Sequence, residues 1–501
     1  MEKSKQKQTN RSIAKIFATM IASFLMAGAL SGCSNRAVQE VIGNDITLYW
    51  WRSQEDANRE TLETIAQDFA SETGIKVEVV LKNPNTYMQE ATEALASAQT
   101  VEDAPDILSV NAEDLPGVAL QLSSAPDDLF VDQDKKETRE TLEYVEDEFL
   151  DVVSKSAVLT DVKSGEGKLF GLPMGLDELV LYRNTALIDQ AIENLRTQNR
   201  VGKQYSDEEI AILRKKLTNA PATWADLVEI APLITIRNEN DISKAAISMG
   251  TANNVERSYD ILQTIMMQNG TALTNSSLTA ATFDQSVQTA AKTVNPGEKA
   301  LAFYLRFSNP NDPVYCWNQQ MPNSFDAFKN EQSAMMIHYS SAYNILINEA
   351  QSLKSKIEIS ALPQAVNPAS SINSDQIKTM AKMYLETAPS ARGDAKRQQA
   401  AWSFIKYITS KSGSSTYLSA MKLPSPLKEG NDRSKFETLS ERKTSADLWF
   451  KGNDATSVNK SFISMIESAQ TGASSTAEAL SVAANAVTTV LQSSKVRWAG
   501  K

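Results

Sequence analysis

The run Trp50-Trp51-Arg52 closes an alternation in which Ile46, Leu48 and Trp50 interleave with Thr47 and Tyr49. An indole face stacks on the C–H face of a polyhydroxylated ring, and a guanidinium gives hydroxyls paired hydrogen bonds. Strand alternation sets Trp50 on the core side, so Trp51 is the exposed candidate, with Arg52 beside it. Asn111, just past the apolar run Ile107-Leu108-Ser109-Val110, offers an amide at the end of another strand. Metal and nucleophilic chemistry are poorly supplied. The single histidine, His338, excludes paired-histidine zinc and histidine facial triads. Two cysteines exclude a Cys-rich zinc or disulfide framework. No metal or cofactor is expected.

One of those cysteines has its own chemistry. Lys3, Lys5, Lys7, Arg11 and Lys15 precede an uncharged, mostly apolar run at 16–30, which leads into Leu30-Ser31-Gly32-Cys33. The apolar run is short for a membrane span and suited to a secretory signal. The four-residue ending resembles a bacterial lipobox, in which cleavage precedes the cysteine and its thiol carries lipid. Residues 1–32 therefore read as a lipoprotein signal peptide and 33–43 as a lipidated tether. The chain has 50 Lys+Arg against 61 Asp+Glu, a balance of −11; without residues 1–32 these become 45 and 60, a balance of −15. Nucleic acid, which needs a concentrated basic surface, is excluded as a partner. Cys316 is left without an intramolecular partner.

The elements that must position these residues are legible as an α/β alternation. Ile46 to Trp50 reads as a strand. Leu62, Ile65, Ala66 and Phe69 follow at helical spacing, with Gly74 as the stop. Ile75, Val77 and Val79 make a second strand, a helix runs through Ala91 and Leu95, and Ile107 to Val110 is a buried third strand. This order predicts a mostly parallel sheet flanked by helices. Residues 138–156 read as one charged helix, 163–171 as a Gly-turn hairpin, and 190–217 as a polar helical insertion. Thr223 caps a helix, Asn323 caps another, and 460–494 is helical, with Leu480, Ala484, Val487 and Leu491 on one face.

Taken in order, several segments resemble the extracellular solute-binding lipoproteins of ABC importers, of the carbohydrate-binding class related to maltose-binding proteins. They are ITLYWWRSQED, APDILSV, LFGLPMGLDELVLYRNTALID, PATWADL, FDAFKNEQSAMMI, RQQAAWSFIKYITS and LPSP. Asn330 stands where that family commonly has glycine. The resemblance spans about 46–426. It implies a two-lobed periplasmic-binding-protein-like fold, each lobe a mostly parallel sheet flanked by helices, joined by hinge crossovers. Lobe one would hold 44–176 and 333–386, and lobe two 177–332 and 387–501.

The resemblance also implies a ligand cleft between the lobes. Asp177 and Glu178 fall at the lobe crossover, where such proteins place acidic contacts. Tyr339 and Tyr343 follow the AMMI strand, at a position that contributes aromatics, and Trp317 precedes that region. With Trp51, Arg52 and Asn111 these are the candidate ligand-binding residues. Met383 and Tyr384 border the cleft. The expected protein is a non-enzymatic monomer, lipid-anchored at the cell membrane and facing the extracellular or periplasmic side. It would capture a small solute, a sugar or oligosaccharide, and deliver it to ABC permease subunits. Three alternatives stay open: a non-sugar polar solute, a surface glycoside hydrolase built on two of the chain's many carboxylates, and a lipoprotein that keeps the fold but serves as a sensor or adhesin.

Overall fold

The computed structural model describes residues 46–54, 58–97, 104–133, 135–197, 205–365, 376–390, 395–429 and 443–499. The signal peptide, the tether and Cys33 lie outside the described residues.

Two sheets organise the molecule. In the first, the strands run in the order Lys76–Lys82, Thr47–Ser53, Ile107–Asn111, Tyr384–Pro389 and Leu122–Ser123, with Leu172–Pro173 also paired to Tyr384–Pro389. Its opening pairs are parallel, with Trp50 opposite Val79 and Ile107. The second sheet runs Lys443–Asp447, Gln376–Lys382, Asp177–Asn184, Ser333–Tyr339, Asp241–Ile247 and Ile236–Asn238, and Ile357–Ser360 also pairs with Asp177–Asn184. Helices flank both sheets, giving an α/β molecule of two lobes.

The first helix, Arg59–Thr73, starts where Asn58 accepts a hydrogen bond from the Thr61 amide. It ends at Gly74, whose φ of 78° is left-handed. Its buried residues are Leu62, Ile65, Ala66, Phe69 and Thr73. Phe69 meets Phe404 of the helix Ala395–Ile408 at 5.0 Å, and Trp50 meets Phe404 edge-on at 5.1 Å. Both helices thus cover the Trp50 face of the first sheet.

Some expectations are corrected by pairing and packing. Trp51 is buried along with Trp50, at 6% and 0% exposure. Against the mostly parallel sheets expected, three of the five pairings in the first sheet and four of the six in the second are antiparallel; the first sheet is still covered on both faces, so alternation chooses a side of the sheet and not water. Ser333–Tyr339, expected with the first lobe, pairs with Asp177–Asn184 and Asp241–Ile247 of the second sheet. All seven of its residues are buried, which suits an interior strand. From the stretch 333–386 the first sheet takes only the strand beginning at Tyr384, while the helix Ala395–Ile408, expected with the second lobe, packs on the first. The single helix expected at 138–156 is two, Thr141–Glu148 and Asp151–Ala157.

The sheets are joined where chain passes directly between them. Leu172–Pro173 leads into Asp177–Asn184, and Gln376–Lys382 leads through Met383 into Tyr384–Pro389. These two crossovers run antiparallel, with Asp177 paired to Lys382. Among the described residues no helix is long and apolar enough to cross a membrane. Cys316 is a free thiol, fully buried, and burial pushes its pKa up to about 12. It is expected to resist iodoacetamide at pH 8 in the native state and to alkylate once guanidinium unfolds the chain. Peptide mass spectrometry of the Cys316 fragment reads both states.

Candidate functional site

The crossovers and the end of the strand Thr47–Ser53 line a narrow cleft that is partly open to solvent. Its lining includes Arg52, Met174, Gly175, Asp177, Ser341, Lys382, Met383, Tyr384, Glu386 and Tyr417. Each lobe contributes to it, and most of the lining comes from the segments that join the lobes.

Arg52 is two residues from Trp50, so the period of a strand puts both on one face. There Arg52 forms a buried ion pair with Glu386, and the exposures of the two side chains are 1% and 0%. Glu386 also accepts from Trp50 Nε1 at 2.7 Å and from Ser109 Oγ at 2.9 Å. Burial raises the Glu386 pKa, and Arg52, then Trp50 and Ser109, oppose that rise. Arg52 Nη2 donates to the Tyr417 hydroxyl at 3.1 Å, and the guanidinium carbon lies 5.2 Å from the Tyr417 ring centre. The pair is therefore fixed before any solute arrives, a preorganised arrangement of donors and acceptors.

Asp177 opens the strand Asp177–Asn184. Its Oδ1 accepts from Ser340 Oγ at 2.6 Å and from the Ser341 amide at 3.3 Å. Both serines follow Ser333–Tyr339, so Asp177 ties the crossover to the end of the neighbouring strand. The Lys382 ammonium lies 4.9 Å from the Tyr384 ring centre and 5.7 Å from that of Tyr339, within cation–π range.

Of the residues named from sequence, Arg52 and Asp177 meet in the cavity lining, with Met383 and Tyr384. Tyr339 stands behind Lys382, 3% exposed. Asn111 pairs in register with Tyr384 but is outside the lining. Glu178, 2% exposed, pairs with Ala381 across the crossover strands and also lies outside the lining. Trp51 is covered by Lys82, whose ammonium is 3.8 Å from the ring centre. Trp317 is fully buried, donating to Asn254 Oδ1 at 3.3 Å, because its loop folds back over the second lobe's core. Tyr343 packs in a small satellite core with Phe328 and Leu346, with the Lys422 ammonium 4.4 Å from its ring. Sequence reasoning missed Glu386, Lys382 and Tyr417. For Glu386 a signal existed: one carboxylate inside an otherwise uncharged strand, Tyr384–Pro389.

His338 is buried, with Nε2 at 3.0 Å from Glu256 and 3.2 Å from Arg257 Nε. Burial and then Arg257 lower its pKa. Among the described residues no group of three or more His, Cys, Asp or Glu is placed to hold a metal ion.

Asp260, in the first turn of the helix Ser258–Gln268, is 3% exposed, and burial pushes its pKa up to about 6. Its neighbours divide: Lys451 and Arg257 lower it, and Glu113 raises it. A raised carboxyl pKa means that the folded state holds the proton longer. The associated stability is complete below about pH 4 and is lost as pH rises through about 6. Thermal melts from pH 4 to 7 should therefore fall more steeply for the wild type than for Asp260→Asn; parallel curves would contradict this.

Both the sequence and the fold are similar to those of known proteins. The model of the bacterial extracellular solute-binding protein family matches residues 64–444. The fold is similar to that of a solved ABC-transporter solute-binding protein from Thermotoga lettingae, bound with alpha-D-tagatose. Identity is 17% and the TM-score 0.63, over 89% of this chain and 100% of that one. It is also similar to the GacH receptor of Streptomyces glaucescens, solved unliganded and with acarbose, at 14% identity and TM-score 0.60, over 89% and 98%. The cyclic alpha-maltosyl-1,6-maltose binding protein of Arthrobacter globiformis aligns at 15% identity and TM-score 0.61, again over 89% and 98%. No curated protein matches the chain. With three quarters of its length matched by the family model, and with two lobes joined by crossovers that line a cleft, the chain belongs to the bacterial extracellular solute-binding proteins, which bind and do not catalyse.

Proposed function

We propose that this protein captures a sugar or short oligosaccharide in the cavity between its lobes and delivers it to the permease subunits of an ABC importer, while lipid on Cys33 holds it at the outer face of the membrane. The observation that carries the reading is the convergence of Arg52, Asp177, Glu386, Tyr384 and Tyr417 at the crossovers. Carboxylates and guanidinium suit hydroxyls, and tyrosine faces suit sugar C–H faces. The lining carries two cationic side chains, Arg52 and Lys382, and two anionic ones, Asp177 and Glu386. That balance favours an uncharged polyhydroxylated solute over a phosphorylated one. Of the similar solved structures, one is bound with tagatose, one is in complex with acarbose, and one is a cyclic alpha-maltosyl-1,6-maltose binding protein, which supports the class.

Thermal shift and tryptophan fluorescence against a panel of mono- and oligosaccharides test the reading. A bound sugar at 100 times its Kd should stabilise the fold by about 2.7 kcal/mol. No response across the panel overturns the sugar assignment. For the anchor, a radiolabelled fatty acid should be incorporated into the wild type and not into Cys33→Ser.

A further inference from the structure

The lobes meet a second time through charge. Glu113 lies two residues beyond the first-sheet strand Ile107–Asn111, and Lys451 four residues beyond the second-sheet strand Lys443–Asp447. The Lys451 side chain is 0% exposed and that of Glu113 10%, and the two form an ion pair. Lys451 Nζ also donates to Asn459 Oδ1 at 2.9 Å and lies 5.7 and 5.6 Å from the ring centres of Tyr259 and Trp449. Trp449 Nε1 donates to Gln263 on the helix Ser258–Gln268, which also carries Tyr259 and packs on the strand Gln376–Lys382. Of these neighbours of Lys451, only Glu113 belongs to the first lobe.

We propose that the Lys451–Glu113 pair is an interlobe latch, which holds the lobes in the closed arrangement without solute and releases when they part. The physical reason lies in how buried ions balance. Inside the interface each ion loses several kcal/mol of hydration, and their attraction must offset this. When the lobes part, water returns to both ions as the attraction is lost. A pair whose attraction exceeds the hydration loss by a little favours closure only weakly, so that a solute with modest preference for one arrangement can shift the balance.

The latch's role in capture rests on the solute-binding reading, but its test uses no solute. Nitroxides at Gln67→Cys, on the helix Arg59–Thr73, and Lys460→Cys, on the helix Ala455–Thr471, report the interlobe distance by pulsed electron resonance. The measurement uses the solute-free full chain in a Cys33→Ser background; Cys316 is buried and stays unlabelled. The decisive comparison is between the wild type and Glu113→Gln/Lys451→Met, which removes both charges, leaves neither ion uncompensated and should fold. The double variant should show a longer, broader distance distribution than the wild type. An unchanged distribution overturns the latch. A failed sugar panel leaves this result untouched, so the two readings fail separately.

Discussion

Replacing Glu386 by alanine should destabilise the fold by about 3–5 kcal/mol, because it strands the Arg52 charge in the interior. Arg52 and Glu386 are 1% and 0% exposed, and Glu386 is the carboxylate that balances the Arg52 charge there. The same substitution empties the acceptors of Trp50 Nε1 and Ser109 Oγ. A buried donor without a partner costs a further 1–3 kcal/mol. The measurement is the guanidinium midpoint, with Arg52→Met/Glu386→Leu as the second arm. Removing both ions should recover most of the stability, since an apolar pair of similar volume is near neutral. It should not recover solute binding. A double variant as unstable as Glu386→Ala would show that the pair holds the fold through something other than its charges.

Asp177→Asn should weaken solute binding by about 30-fold or more, with a small change in melting temperature. Truncating a buried charged hydrogen-bond partner costs about 2–5 kcal/mol of affinity. Asparagine keeps the shape and one acceptor oxygen for Ser340 Oγ and the Ser341 amide, so the crossover stays tied to the strand end. What it loses is the negative charge at the cavity lining and the second carboxylate oxygen, which lies 3.4 Å from the Ser341 amide nitrogen. Titration calorimetry with a sugar found in the panel reads the effect. An unchanged Kd would remove Asp177 from the site.

The two predictions differ in how far the sequence foreshadowed them. Asp177 was named from its place in the LFGLPMGLDELVLYRN segment, because a crossover is local and its residues are contiguous. Arg52 was named with the wrong neighbour. Alternation linked it to Trp51, yet the two-residue period that turns Trp50 inward turns Arg52 inward too, toward a carboxylate 334 residues away. Glu386 and Tyr417 reach the site only through strand order and helix packing. Trp51 and Trp317 are attractive for their chemistry, but neither reaches the cavity lining: Lys82 covers Trp51, and Trp317 packs beside Asn254. Composition reports how many indoles a chain has, not which are covered from both sides.

The sequence by itself determined the α/β alternation, the caps at Gly74, Thr223 and Asn323, the near absence of histidine, and the ordered segments that place the chain in its family. Each depends on residues within a turn or two of one another, or simply on a count. Tertiary structure decided which sheet took Ser333–Tyr339, which face of the opening strand met the cavity, and which ions met, Arg52–Glu386 within the first sheet and Lys451–Glu113 across the lobes. Strand order and interlobe pairing join segments hundreds of residues apart. The energy that selects them comes from burying whole faces together, and no local spacing of residues records it.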